Sequence, residues 1–149
     1  MAELLGTPLM PWQKLVADVL LEIDPETNDL WYSEGNLSAM RQVGKTQLGM
    51  ALKVHRCTRF NGRQVIIYFA QDRNKAHEKF VEEHIRILKE SPAFAGHFKA
   101  RLSNGSEHVK WANGSHWGID APTRTAGHSK TVDYAEIDAM DSVAKELGF

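Results

Sequence analysis

Ala39-Met40-Arg41-Gln42-Val43-Gly44-Lys45-Thr46 is the stretch on which the fold assignment turns. It follows the phosphate-loop pattern G-x-x-x-x-G-K-[ST], with Ala39 standing where the first glycine is usual. The half that carries the chemistry is intact. Backbone N–H groups converging at a helix N-terminus, together with a lysine, suit the β- and γ-phosphates of a nucleoside triphosphate, and the Thr46 hydroxyl suits Mg²⁺. Met40, Arg41, Gln42, Val43, Gly44, Lys45 and Thr46 are therefore candidate nucleotide-binding residues, with Thr46 a candidate metal ligand. The bland alternative is an ordinary exposed helix start. It makes poor electrostatic sense, because a cation at the positive end of a helix dipole is unfavourable unless an anion sits there too.

Outward from this loop, Leu30 to Leu37 reads as a weak strand running into it, preceded by the turn-rich Asp24-Pro25-Glu26-Thr27-Asn28-Asp29. Further upstream, Trp12 to Ile23 follows Pro11 and repeats Leu15, Val16, Val19, Leu20 and Ile23 at helical spacing, which predicts a helix burying that stripe. Downstream, Leu48, Ala51, Leu52 and His55 predict a helix from Lys45 to about Thr58. Gln64-Val65-Ile66-Ile67-Tyr68-Phe69-Ala70 is a continuous apolar run, as expected of a strand buried on both faces of a parallel sheet.

Asp72 can cap a helix from Arg73 to Lys89 that buries Ala76, Phe80, His84, Ile87 and Leu88, with Lys75, Lys79 and Arg86 on a solvated face; Ser91-Pro92 stops it. His108 to Trp111 and Ser115 to Asp120 flank Asn113-Gly114 and predict a hairpin. A polar loop from Pro122 to Lys130 leads into a last strand, Thr131 to Ile137, ending in Asp138-Ala139. The expected fold is a single α/β domain over residues 1–149 of the P-loop NTPase type: a mainly parallel sheet flanked by helices, with an edge or inserted β-hairpin.

Composition narrows the function classes. With 42% hydrophobic and 25% charged residues, the chain suits one globular domain with its own core. A formal net charge of −1 supplies no global field for nucleic acid, so any such contact rests on local patches. Cys57 is the only cysteine, which excludes a disulfide framework or a cysteine zinc site, fits a reducing compartment and suggests a packed thiol. The histidines lack metal-ligand spacing. No stretch approaches the length needed to cross a bilayer, and no secretory leader is visible.

A triphosphate-binding loop also needs a carboxylate at the end of a neighbouring strand to hold the Mg²⁺ shell. Asp138 meets that description and is the second candidate metal ligand, against the alternative of a turn or cap residue.

Pro11-Trp12-Gln13 opening the first helix, Met40-Arg41-Gln42-Val43-Gly44-Lys45-Thr46, the strand and helix around Ala70-Gln71-Asp72, and Gly127-His128-Ser129 before the Asp138 strand together carry a resemblance. Over nearly its whole length the chain resembles the ATPase domain of bacteriophage terminase large subunits, the motors that package DNA. The resemblance implies ATP and Mg²⁺ as cofactors and catalytic roles for Lys45, Arg41 and Asp138. It implies that Gln13 reads the adenine edge, that Trp12 and Pro11 pack the base or anchor the helix, and that Arg41 contacts phosphate or a neighbouring subunit. The partners it implies are double-stranded DNA, a portal protein, a small terminase subunit and further copies of the chain in a ring, with no membrane. The place of action would be the host cytoplasm, at the procapsid portal.

Two departures qualify that expectation. Ala139 stands where the family carries a glutamate that activates water. Glu136 reads as pointing to the wrong side of the strand by one or more pleats, and Asp141 would require a shifted turn. His128 stands where many terminases place an arginine acting on the adjacent subunit, leaving Arg124 and Lys130 as the nearby cations, with Arg124 the candidate for that role. The chain also stops at Phe149, before the coupling motif and the nuclease domain of the family. The expectation is therefore a fragment or split gene product without nuclease activity, in which nucleotide binding is better founded than hydrolysis. The competing readings are a different nucleic-acid translocase, such as a helicase, and a catalytically idle nucleotide-binding module with a regulatory role.

Overall fold

The computed structural model of the chain describes residues 1–121 and 131–138. Its centre is β1 (Val65–Phe69), which forms where β-branched and aromatic side chains run together. β1 lies between β4 (His116–Ile119) and β5 (Tyr134–Ile137) and pairs with both in parallel. Beyond β4 come β3 (His108–Trp111) and then β2 (Phe98–Arg101), each pairing antiparallel with its neighbour. The strand order is β2-β3-β4-β1-β5.

This is a mixed sheet, and it overturns the mainly parallel P-loop NTPase sheet expected from the sequence. Two of its pairings are antiparallel, and the strand expected to feed the phosphate loop is missing. Leu30 to Leu37 forms no strand; Leu30 alone makes a bridge, to Ile23, and the residues from Trp31 to Ser38 are exposed. The physical reason lies in its composition: Ser33-Glu34-Gly35-Asn36 interrupts any alternation of apolar side chains, so no face of that stretch can be buried. The predicted hairpin does form around Asn113-Gly114. Gly114 adopts φ 86°, and the Asn113 side chain accepts from Ser115 N (2.9 Å) while donating to Cys57 O (2.7 Å).

The helices are α1 (Pro11–Leu20), α2 (Lys45–Arg59) and a third unit built end to end from α3 (Arg73–Lys79), a π-helical stretch (Phe80–Ile85) and α4 (Arg86–Glu90). Asp72 caps α3 by accepting from Lys75 N, and Ser91 before Pro92 ends α4 in extended geometry. Of the expected stripe on this unit, Ala76, Phe80, His84 and Leu88 are buried, and Ile85 takes the place given to Ile87, which is only partly covered.

One core holds these elements together. Met50, Val54 and Cys57 of α2 meet Phe80, Ile85 and Leu88, and both groups close over Ile66, Val109, Trp111 and Trp117 of the sheet. Burial pushes the Cys57 thiol up to about 12, so it stays protonated as a packing group. The first helix departs from expectation. It ends at Leu20 rather than Ile23, and Leu15 (66% exposed), Val19 and Ile23 face outward, while Gln13 is its buried residue. Polar attachment of Gln13 at the helix start, described below, sets its rotation. Among the described residues no helix is long and apolar enough to cross a membrane.

Trp117 is fully buried at the middle of the sheet, and among the described residues its Nε1 has no hydrogen-bond partner. Trp117→Ala is expected to cost about 3–5 kcal/mol in urea unfolding. Trp117→Phe is expected to cost clearly less, because the ring refills part of the volume and the unpaired N–H leaves with the indole.

Candidate functional site

The turn before α2 is built from two left-handed residues. Gln42 takes φ 60° and Gly44 φ 99°, and Gly44 is the N-cap of α2. A non-glycine residue at positive φ is uncommon, and turns of this kind aim successive backbone N–H groups into a concavity that suits an anion. The first turn of α2 contains no acidic side chain to neutralise the helix end. Lys45 begins the helix and curls its ammonium back over the turn to donate to Ala39 O at 3.3 Å. Met40, Arg41 and Gln42 are exposed, and Val43, Gly44, Lys45 and Thr46 are partly covered.

Gln13 reaches this turn from α1. Its Nε2 donates to Gly44 O (2.7 Å), and its Oε1 accepts from Met10 N (2.7 Å). Both ends of the amide are thus occupied in stapling α1 to the loop, and Gln13 is buried. In this geometry it anchors the loop, with one N–H and one carbonyl lone pair of the amide engaged. Pro11 is exposed and Trp12 partly covered at the same helix start.

The opposite wall comes from β5. Lys45, Gly49 and Lys53 repeat every four residues along one face of α2, and Glu136 and Asp138 repeat every two along β5. Lys53 forms an ion pair with Glu136, and a Cβ added at Gly49 would lie 2.3 Å from Glu136 Oε1. Four helical residues advance about 6 Å and two strand residues about 6.7 Å, so stepping one turn back along α2 and one pleat forward along β5 brings Lys45 level with Asp138. This corrects the expected position of Glu136. It shares the helix-facing side of β5 with Asp138, and Lys53 holds it one layer below the loop.

Asp138 is the electrostatic centre. Its Oδ2 accepts from Lys79 Nζ at 2.5 Å and from the Tyr68 hydroxyl at 3.0 Å. Burial alone would raise its pKa; the hydrogen bond and charge of Lys79, the Tyr68 hydrogen bond and the charge of Lys45 outweigh it and hold the carboxyl below its usual range. Burial and the neighbouring carboxylates push the Tyr68 phenol upward, so it remains a donor. His84, packed edge-on to the Tyr68 ring, is held neutral by burial and by the charges of Lys53 and Lys79.

The motif alone does not single out Lys79, Tyr68 or Lys53. Lys79 had been placed on a solvated helix face. The signal for it was its position three residues after the buried Ala76 and next to the buried Phe80, at the margin of the packed stripe. Lys75 and Arg86 do lie on the exposed side, with Lys75 paired to Glu78. Arg124, His128, Lys130, Ala139 and Asp141 lie outside the described residues.

Among the described residues no three His, Cys, Asp or Glu side chains cluster to hold a metal by themselves. An ionised Asp138 facing the start of α2, with Thr46 in its first turn, nevertheless fits Mg²⁺, which keeps most of its waters and takes few protein ligands when phosphates complete its shell.

Gly49→Ala is expected to cost about 1–3 kcal/mol in urea unfolding by wedging α2 away from Glu136. Because the folded Asp138 carboxyl sits below its ordinary 3.8, its contribution to stability is full above that value and is lost as pH falls through the lower folded value. The difference in unfolding free energy between the native chain and Asp138→Asn is therefore expected to stay flat from neutrality down to about pH 4 and to close below it, as urea unfolding across pH will measure. Compared with known proteins, the chain matches no family model, no curated protein and no solved structure.

Proposed function

We propose that this chain binds ATP with Mg²⁺ at the Met40–Thr46 turn and serves as the nucleotide-binding part of a motor for double-stranded DNA of the terminase large-subunit kind. The observation that carries the reading is the seating of α2 against β5, where Gly49 lies against Glu136 and Lys53 pairs with it, so that Lys45 and Asp138 fall one step further along the same seam. Lys45 opens a helix start that has positive backbone potential and no acid of its own.

In this reading the N–H groups around Val43 and Gly44 take the β-phosphate, and Lys45 exchanges the Ala39 carbonyl for phosphate oxygens. Thr46 and Asp138 would hold Mg²⁺, which would neutralise the phosphate charge. Arg41, exposed on the turn, is available to the γ-phosphate or to a neighbouring copy. Asp138, now paired with Lys79, would be the carboxylate offered to such an ion.

DNA, portal protein, small terminase subunit and ring assembly belong to this proposal through the motif resemblance alone. Alanine at position 139, directly after Asp138 in the sequence, favours a second reading in which the chain binds nucleotide and turns it over slowly or not at all.

Titration with a fluorescent ATP analogue in Mg²⁺ tests the proposal. Lys45→Ala is expected to weaken binding by about 10- to 100-fold, the loss of a charge-assisted hydrogen bond. Asp138→Asn is expected to weaken it in Mg²⁺ and not in chelator. Equal affinity of the native chain and Lys45→Ala would overturn the reading. Ala139→Glu raising turnover from a low baseline would distinguish a disabled motor from a module that only binds.

A further inference from the structure

On β2, β3 and β4 the face of the sheet turned away from the helices is basic, whereas β1 continues it with the apolar Val65 and Ile67. Lys99 on β2 stands opposite Lys110 on β3, and Lys110 stands opposite His116 on β4. One pleat along, Arg101 stands opposite His108. These residues alternate with Phe98, Val109, Trp111 and Trp117, which pack on the helix side, so they share the opposite face.

Lys99, Arg101 and Lys110 are exposed, and no carboxylate occupies either cross-strand row. Like charges directly opposite one another destabilise a sheet unless something neutralises them. The adjacent carboxylate, Glu107, is turned away and wholly buried, bound to Arg73 (2.5 Å) and His77 (2.6 Å). Asp133, next to β5, spends an oxygen on Val65 N (2.7 Å). Arg63, His108, Lys110 and His116 border an open groove of about 470 Å³, which Glu107 and the apolar Val65 and Ile67 also line. In a chain whose formal net charge is −1, this is segregated charge rather than general excess.

We infer that this face grips the phosphate backbone of duplex DNA. The three full cations span neighbouring strands about 4.8 Å apart and alternate positions about 6.7 Å apart, a flat grid suited to a line of phosphates. The aromatic side chains of the same strands, Phe98, Trp111 and Trp117, all pack into the helix-side core. That leaves no stacking platform among them for unpaired bases and makes the contact electrostatic and independent of sequence. The surface lies on the opposite side of the sheet from Lys45 and Asp138, so nucleotide and DNA are held on separate faces. The inference rests on the motor reading for its choice of partner and on the charge pattern for its location.

Fluorescence anisotropy with a labelled duplex of arbitrary sequence, titrated between about 50 and 200 mM salt, tests it. The triple variant Lys99→Ala, Arg101→Ala, Lys110→Ala is expected to lose roughly 2–3 units from the slope of log affinity against log salt, and at least about 10-fold in affinity. Lys99→Arg with Lys110→Arg is expected to keep both. An unchanged slope in the triple variant overturns the inference, as does tighter binding of a single strand or of anionic vesicles than of duplex. MgATP affinity, measured on the same proteins, separates the two proposals. Loss of slope without any nucleotide binding sinks the motor reading and leaves the DNA face standing, whereas nucleotide binding with an unaltered slope does the reverse.

Discussion

The seating of α2 against β5 is the constraint on which the rest of the molecule depends. Lys53 is wholly buried and paired to Glu136, and Gly49 lets the helix come close enough for that pair to form. A buried ion pair is a poor source of net stability, because desolvating both charges costs about as much as their attraction returns. Its value here is register. Sliding α2 by one turn would strand the Lys53 ammonium in apolar surroundings, so a single arrangement of helix and strand survives. Lys45 and Asp138 inherit their alignment from that arrangement, and Gly44, Gln13 and the start of α1 follow in turn through two hydrogen bonds.

Charge is balanced locally around this seam. Lys79 and Tyr68 both donate to Asp138, Lys53 neutralises Glu136, and His84 stays uncharged beneath them. The carboxylate at the mouth of the site is thereby kept ionised and oriented while remaining open to exchange, since Lys79 and Asp138 are each about one-third exposed. An ammonium on a flexible stem is a suitable temporary partner for such a group. It satisfies the anion without the fixed fork of a guanidinium, and it can withdraw to solvent.

How much of this was legible in the sequence depends on the range of the interactions. β1 could be read because five consecutive apolar residues announce a strand regardless of what surrounds them. The hairpin could be read because Asn113-Gly114 encodes its own turn. α2 began at Lys45 as the glycine before it required. The outermost strand could not be read, because β2 has little alternation of its own, with three of its four residues exposed, and takes its place from pairing with β3. The rotation of α1 was misjudged because the apolar stripe of Leu15, Val19 and Ile23 was stronger in sequence than the single amide of Gln13 that sets the helix in place. The motif located Lys45 and Asp138, whereas Lys79 and Tyr68 reach Asp138 only through packing of distant segments.

The π-helical stretch between Lys79 and Arg86 has a mechanical meaning. Ala76, Phe80, His84 and Leu88 recur every four residues, and all are at most 1% exposed. In a regular helix such a repeat precesses by about 40° per step, so the last of them would be carried well off the core. The wider π turn unwinds the coil locally and straightens that spiral into a line parallel to the sheet. The same underwinding uncouples the two ends of the helical unit in rotation. The end bearing Lys79 can point at a carboxylate while the other keeps Leu88 in oil, a division of labour that an uninterrupted helix of this sequence would not permit.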